Sequence, residues 1–116
     1  MLERTESRSG VVFYRSRVLA GQRVPHAFST RIGGVSSGPF ASLNLGNPNG
    51  APVQDDRAHI AENYRRLQEA AGCVGRLCRT HQVHSADVVQ VGPDWQGHDS
   101  AKADALVTDS PGMVVS

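Results

Sequence analysis

The stretch "DDRAHIAENYRRLQEAAG", residues 55–72, constrains the fold more than any other part of the chain. Ile60, Tyr64, Leu67 and Ala71 recur at i, i+4, i+7 and i+11, which places apolar side chains along one face of an α-helix. Asp55 and Asp56 suit the N-cap and first turn, where a carboxylate can accept the free backbone N–H groups. Gly72 suits the left-handed position that closes a helix. The spacing therefore predicts a helix from near Asp55 or Asp56 to near Gly72. Glu62 and Arg66 should form an i,i+4 pair on its solvent side. His59 and Asn63 share another stripe, expected to be exposed.

Around this helix the apolar runs are short and β-branched. "GVVFYRSRVLA" (10–20) reads as a strand or hairpin arm, and "HAFST" (26–30) as a second short strand. "GRLCRTHQVH", "ADVVQV", "DALVT" and "GMVV" all look extended. Strands on both sides of one strong helix predict an α/β or α+β fold with a mixed sheet. The 116 residues amount to one domain. The chain stops at "SPGMVVS", where a turn feeds a strand that has barely begun. The expectation is a truncated chain, because a strand left unpaired cannot satisfy its backbone.

Charge and composition exclude some classes of function. With 12 Lys+Arg against 11 Asp+Glu the net charge is +1, so no strong field favours nucleic acid or anionic lipid. No run approaches the ~20 apolar residues of a membrane span. The polar start "MLERTESRSG" lacks the apolar core of a signal peptide, which makes the cytoplasm the expected location. Cys73 and Cys78, in "CVGRLC", are too far apart for a redox C-x-x-C pair and are expected to be free thiols.

Two stretches carry candidate chemistry. "RIGGVSSGPFASLNLGNPNGAP" (31–52) is rich in Gly, Pro, Ser and Asn, and Phe40, Leu43 and Leu45 anchor it as an ordered loop. Gly33 and Gly34 leave backbone N–H groups uncovered and could form an anion-binding nest, with Arg31 adding a phosphate fork. The alternative is a turn beside a surface arginine. There is no P-loop lysine. The second stretch, "RTHQVHSADVVQV" (79–91), holds His81 and His84 three residues apart. If residues 76–91 are extended, the two imidazoles point to opposite faces, and both could reach one metal only where the chain bends sharply between them.

"FSTRIGGVSSGPFASLNLG", then a helix containing "ENYRRL", then "QVHSADVV", then "ADALVTDSPG", together resemble the YfiH family. Its members have been called multicopper polyphenol oxidases or laccase-domain proteins and are described as purine nucleoside phosphorylases. The resemblance runs from about residue 24 to residue 115. It implies an α+β fold in which mixed β-sheets pack face to face, flanked by helices and incomplete here at the C-terminus. It also implies zinc-dependent phosphorolysis of adenosine, inosine, guanosine and methylthioadenosine to the base and a sugar 1-phosphate, with adenosine deamination as a second activity. The family's zinc is held by a His in the Q-V-H block, which maps onto His84, and by a Cys and a His in later blocks that would lie past Ser116. On this resemblance Cys73 and Cys78 match no ligand, and His81 has no metal role. Arg31, Gly33 and Gly34 are the candidate phosphate cradle, and Asn44 and Gln82 candidate contacts to base or sugar.

Two other readings compete. A copper-dependent phenol oxidase needs several His and Cys ligands suited to copper, and only His84 belongs to a recognised ligand block. A non-catalytic fragment or binding module would use an open sheet edge. The preferred nucleoside, the oligomeric state and the catalytic base are not legible in the sequence.

Overall fold

The computed structural model describes residues 1–95 and 101–116, and the chain forms two compact units, Met1–Cys73 and Val74–Ser116.

In the first unit, β1 (Leu2–Glu6) and β2 (Val12–Ser16) form an antiparallel hairpin, with Leu2 opposite Ser16 and Glu6 opposite Val12. Gly10 turns the chain at φ 85°, and the Ser7 carbonyl accepts its N–H at 3.0 Å. The short β3 (Phe28–Ser29) pairs antiparallel with β2. The strand expected over 10–20 ends at Ser16, whose side chain caps a one-turn helix, α1 (Arg17–Gly21). The polar N-terminal segment, which showed no strand signal, gains its structure as β1 from pairing with β2.

The predicted long helix is α2, Arg57–Ala71. Asp56 accepts the Ala58 N–H at 2.8 Å as N-cap, and Gly72 closes the helix at φ 71°. Arg15 donates through Nη2 to the Ala70 and Ala71 carbonyls at 3.5 and 3.4 Å, placing a cation at the negative end of the helix. The same guanidinium stacks over the Phe13 ring, 5.1 Å from its centroid. Glu62 pairs with Arg66 at 3.0 Å, as expected, and also with Arg65 at 2.8 Å.

The core of this unit is Val11, Phe13, Leu43 and Ala71, with Leu45, Leu67 and Cys73 packed against it. Ile60 is buried as predicted, whereas Tyr64 and Leu67 are only partly covered. One expectation is overturned. Asn63 is not exposed but is 0% accessible, because the 31–47 loop folds over its stripe and uses its amide as a hydrogen-bonding hub. His59, on the same stripe, remains half-buried.

The second unit contains two parallel strand pairs. β4 (Arg76–Cys78) pairs with β7 (Met113–Val115), and β5 (Val88–Gln90) with β6 (Ala105–Val107). Cys78, Val91 and Ala103 are its buried apolar residues. Gly75 approaches the Gly112 carbonyl so closely that a Cβ there would sit 2.4 Å from its oxygen. An antiparallel sheet with one long helix in the first unit, and parallel pairs in the second, make the chain α+β with sheets of both kinds. Cys73 and Cys78 are free thiols, as expected. Among the described residues no helix is long and apolar enough to cross a membrane.

Candidate functional site

The structure sorts the candidate residues into one cluster in each unit. In the first, Arg31 holds the loop together. Its Nε and Nη2 donate to the Ala41 carbonyl at 3.2 and 2.9 Å, and its own carbonyl accepts the Ser42 and Leu43 N–H groups, both at 2.9 Å. Nη1 of the exposed guanidinium makes no hydrogen bond to the described residues.

Gly33 and Gly34 do present converging amides, but the chain itself supplies the acceptor. Both N–H groups donate to Ser42 Oγ, at 3.1 and 3.2 Å, while that hydroxyl donates to the Arg31 carbonyl at 2.9 Å. Glycine is needed at both positions for close approach of backbones. A Cβ on Gly33, which sits at φ 103°, would lie 2.4 Å from Val11 Cα, and one on Gly34 would lie 2.0 Å from the Ser42 carbonyl oxygen.

Behind the loop lies a buried polar cluster. Asp55 accepts the Ser36 hydroxyl at 2.5 Å and Asn44 Nδ2 at 3.0 Å, and its backbone is clamped by both ends of the Asn47 amide. The Ser36 hydroxyl first, then the Asn44 amide, hold the Asp55 carboxyl below the usual carboxylate range, while burial opposes them. His59 Nδ1 stands 3.5 Å from the other Asp55 oxygen. Asn63 accepts the Val35 N–H at 2.8 Å and donates to Ser36 Oγ at 2.9 Å and to the Asn44 carbonyl at 2.7 Å. The cluster pins α2 to the loop and fixes Asn44.

In front of the loop is a pocket of about 460 Å³ whose walls include Thr30, Arg31, Phe40, Leu43, Asn44 and Leu45. That volume lies within the ~300–1,000 Å³ typical of small-molecule sites. The lining is mixed, with Thr30, Arg31 and Asn44 beside Phe40, Leu43 and Leu45, so it offers an anion-pairing cation and an amide next to a small apolar surface.

In the second unit the extended run expected over 76–91 is broken. β4 stops at Cys78, His81 forms an isolated parallel bridge with Lys102, and the chain then bends, with His84 at φ 60°. Opposite faces of a strand therefore do not separate the two histidines, because the segment between them is not a strand. What shapes it is Asp104, a residue without a local sequence signal. Its carboxylate accepts the N–H groups of Val83, His84 and Ser85 at 3.0, 2.8 and 2.6 Å, and the Ser85 hydroxyl at 2.5 Å. These donors, the Ser85 hydroxyl foremost, lower its pKa. His84 and Gln82 are exposed, and His81 is half-buried.

The His84 imidazole, exposed and free of hydrogen bonds to the described residues, suits a single metal ligand. Among the described residues no group of three or more His, Cys, Asp or Glu side chains could hold a metal ion, so His84 alone makes no metal site there.

The profile of the multi-copper polyphenol oxidoreductase laccase family matches residues 25–116, and the chain belongs to that family. Among similar proteins, a purine nucleoside phosphorylase of Deinococcus radiodurans is 44% identical over 96 residues, covering 80% of this chain and 34% of the relative. The purine nucleoside phosphorylase YfiH of Escherichia coli K12 is 40% identical over 86 residues, covering 74% and 33%. A purine nucleoside phosphorylase of Pseudomonas aeruginosa is 42% identical over 94 residues, covering 81% and 35%. The chain thus spans about a third of the length of the curated relatives it matches.

Proposed function

We propose that the protein is a zinc-dependent purine nucleoside phosphorylase acting on adenosine, inosine, guanosine or methylthioadenosine, with adenosine deamination as a second activity. The observation that carries this reading is the agreement of relatives named purine nucleoside phosphorylase over 74–81% of the chain, joined to a pocket with Arg31 at its rim. The family match spans both units, which supports reading them as parts of one domain. The cytoplasm, where nucleosides and phosphate meet, is the compartment this reading assigns.

In phosphorolysis a phosphate oxygen attacks C1′ of the sugar while the C1′–N9 bond breaks, and the purine leaves with the electron pair. The protein must hold a multiply charged anion against a neutral nucleoside. Arg31 is suited to that task through Nη1, and its position is fixed by the two bonds to Ala41. Gly33 and Gly34 serve by close packing, with the Ser42 hydroxyl at the centre of their amides where an anion would otherwise sit. Asn44 Nδ2 is held by Asp55 and its Oδ1 accepts the Gly46 N–H at 3.5 Å, leaving the second amide hydrogen and one lone pair of Oδ1 for sugar or base. Gln82 is assigned to the substrate side of the second cluster. His84 is assigned to the metal. Zinc, when bound, supplies a Lewis acid and an activated water. Catalytic zinc takes roughly three protein ligands, and the described residues hold no group of three or more His, Cys, Asp or Glu that could hold a metal ion, so at least one further ligand would come from outside them.

The test is an assay of the native protein with inosine and phosphate, together with metal analysis and an oxygen-uptake assay with a phenol. Base release that requires phosphate supports the proposal. Copper content with phenol oxidation and no base release would replace it with the oxidase that the family's description names.

A further inference from the structure

We propose that Asp104 is the positioning residue for His84, setting the backbone conformation of the 83–85 turn and, through it, the direction of the imidazole. The proposal deepens the reading of His84 as a metal ligand and rests on it only for the ligand's purpose. The geometry points to Asp104 on three grounds.

First, three consecutive backbone N–H groups converge on one carboxylate, with distances falling from 3.0 to 2.6 Å along the chain. Successive amides converge in this way where a turn or a left-handed residue bends the backbone into a nest for an anion. Here the anion is the protein's own.

Second, the residue forced into the left-handed region is His84, at φ 60°. A side chain with a Cβ is disfavoured in that region, where glycine sits without strain. Histidine at this position keeps a strained backbone for the sake of its side chain. Relaxation to the extended region would swing the Cα–Cβ bond and carry the ring elsewhere.

Third, Asp104 is itself fixed. It precedes β6, follows the buried Ala103, and its N–H donates to the Asp87 carbonyl at 3.0 Å. The carbonyl of Ala103 accepts the Thr80 hydroxyl, and its N–H donates to the His81 carbonyl, so the start of the histidine segment is tied to the residue just before Asp104. The imidazole is left exposed on an ordered turn, without a hydrogen bond to the described residues.

The experiment compares the wild-type chain with Asp104→Ala and Asp104→Asn by nuclear magnetic resonance, reading amide exchange at 83–85 and contacts of the His84 ring, with the thermal midpoint as a measure of fold. Asp104→Ala should speed exchange at Val83, His84 and Ser85 by about tenfold or more, as losing bonds to a charged acceptor requires. It should also change the ring contacts of His84 while those of β5 and β6 persist. Asp104→Asn keeps one acceptor oxygen and should give an intermediate loss, and it serves if the alanine variant does not fold. Unchanged exchange and ring contacts in both variants would overturn the proposal. A zinc titration of the wild type, followed at the His84 ring, separates the two ideas. If the ring ignores zinc while Asp104→Ala still redirects it, the ligand reading fails and the positioning role stands. If the ring responds to zinc equally in wild type and Asp104→Asn, with unaltered contacts, the positioning role fails and the ligand reading stands.

Discussion

Replacing Asn63 with alanine should be among the most damaging substitutions in the first unit, although the residue looks polar and replaceable. The side chain is fully buried and satisfies three groups at once. Of these, Ser36 Oγ keeps its bond to Asp55, so its loss is small. The Val35 N–H and the Asn44 carbonyl would lose the partner that Asn63 gives them, at ~1–3 kcal/mol each. The sum is about 2–6 kcal/mol, centred near 4, against a total stability of about 5–15 kcal/mol for a typical domain. Denaturant unfolding followed by far-ultraviolet circular dichroism, to which α2 contributes most, should show the unfolding free energy lowered by that amount through a lower midpoint at unchanged slope. Asn63→Asp is the matched control. It preserves shape and the acceptor for Val35, but turns the donating end into an oxygen facing Ser36 Oγ and the Asn44 carbonyl, near Asp55. The protonated form can donate again, so the introduced carboxyl should have a raised folded-state pKa. Its penalty is then full at neutral pH and shrinks as pH falls. A loss below about 1 kcal/mol for Asn63→Ala would mean that the cluster does not anchor the loop to α2.

Other outcomes follow from the same geometry. Glu62 is held down to about 2, first by the Arg65 hydrogen bonds and then by those of Arg66. Because its folded pKa is depressed, its stabilising contribution is complete above the ordinary value of 4.5 and disappears as pH falls toward about 2. Acid titration of Glu62→Gln should accordingly show a shallower loss of stability across that window than the wild type. Gly34→Ala should disrupt the 31–45 loop, since the new Cβ would meet the Ser42 carbonyl at 2.0 Å, and the amide shifts of residues 33–43 should report it. In the phosphorolysis assay Arg31→Ala should raise the apparent KM for phosphate far more than that for the nucleoside; equal effects on both would return the loop to a structural role.

The helix was legible because its signals are local. Asp56, the apolar stripe and Gly72 each act within a turn or two of α2, and the structure has the same boundaries. The side facing the loop was not legible. Asn63 and His59 look like a solvated stripe until the 31–47 loop folds across it, and that contact joins residues 19–28 positions apart. β1 was hidden for a similar reason, since its polar residues become a strand only by pairing with β2. At the site, the sequence singled out Arg31 and the glycine pair but not Ser42, whose hydroxyl takes up the amides that an anion was expected to fill. The turn at His84 was misread as extended, because what bends it is a carboxylate 20 residues away in the sequence.

Product analysis after incubating the native protein with inosine, with and without inorganic phosphate, decides whether it is a phosphorylase. Hypoxanthine and ribose 1-phosphate should appear in equal amounts, only when phosphate is present, with the phosphate requirement sharply raised in Arg31→Ala. Free ribose formed without phosphate, or no base released by metal-replete native protein, would contradict that assignment.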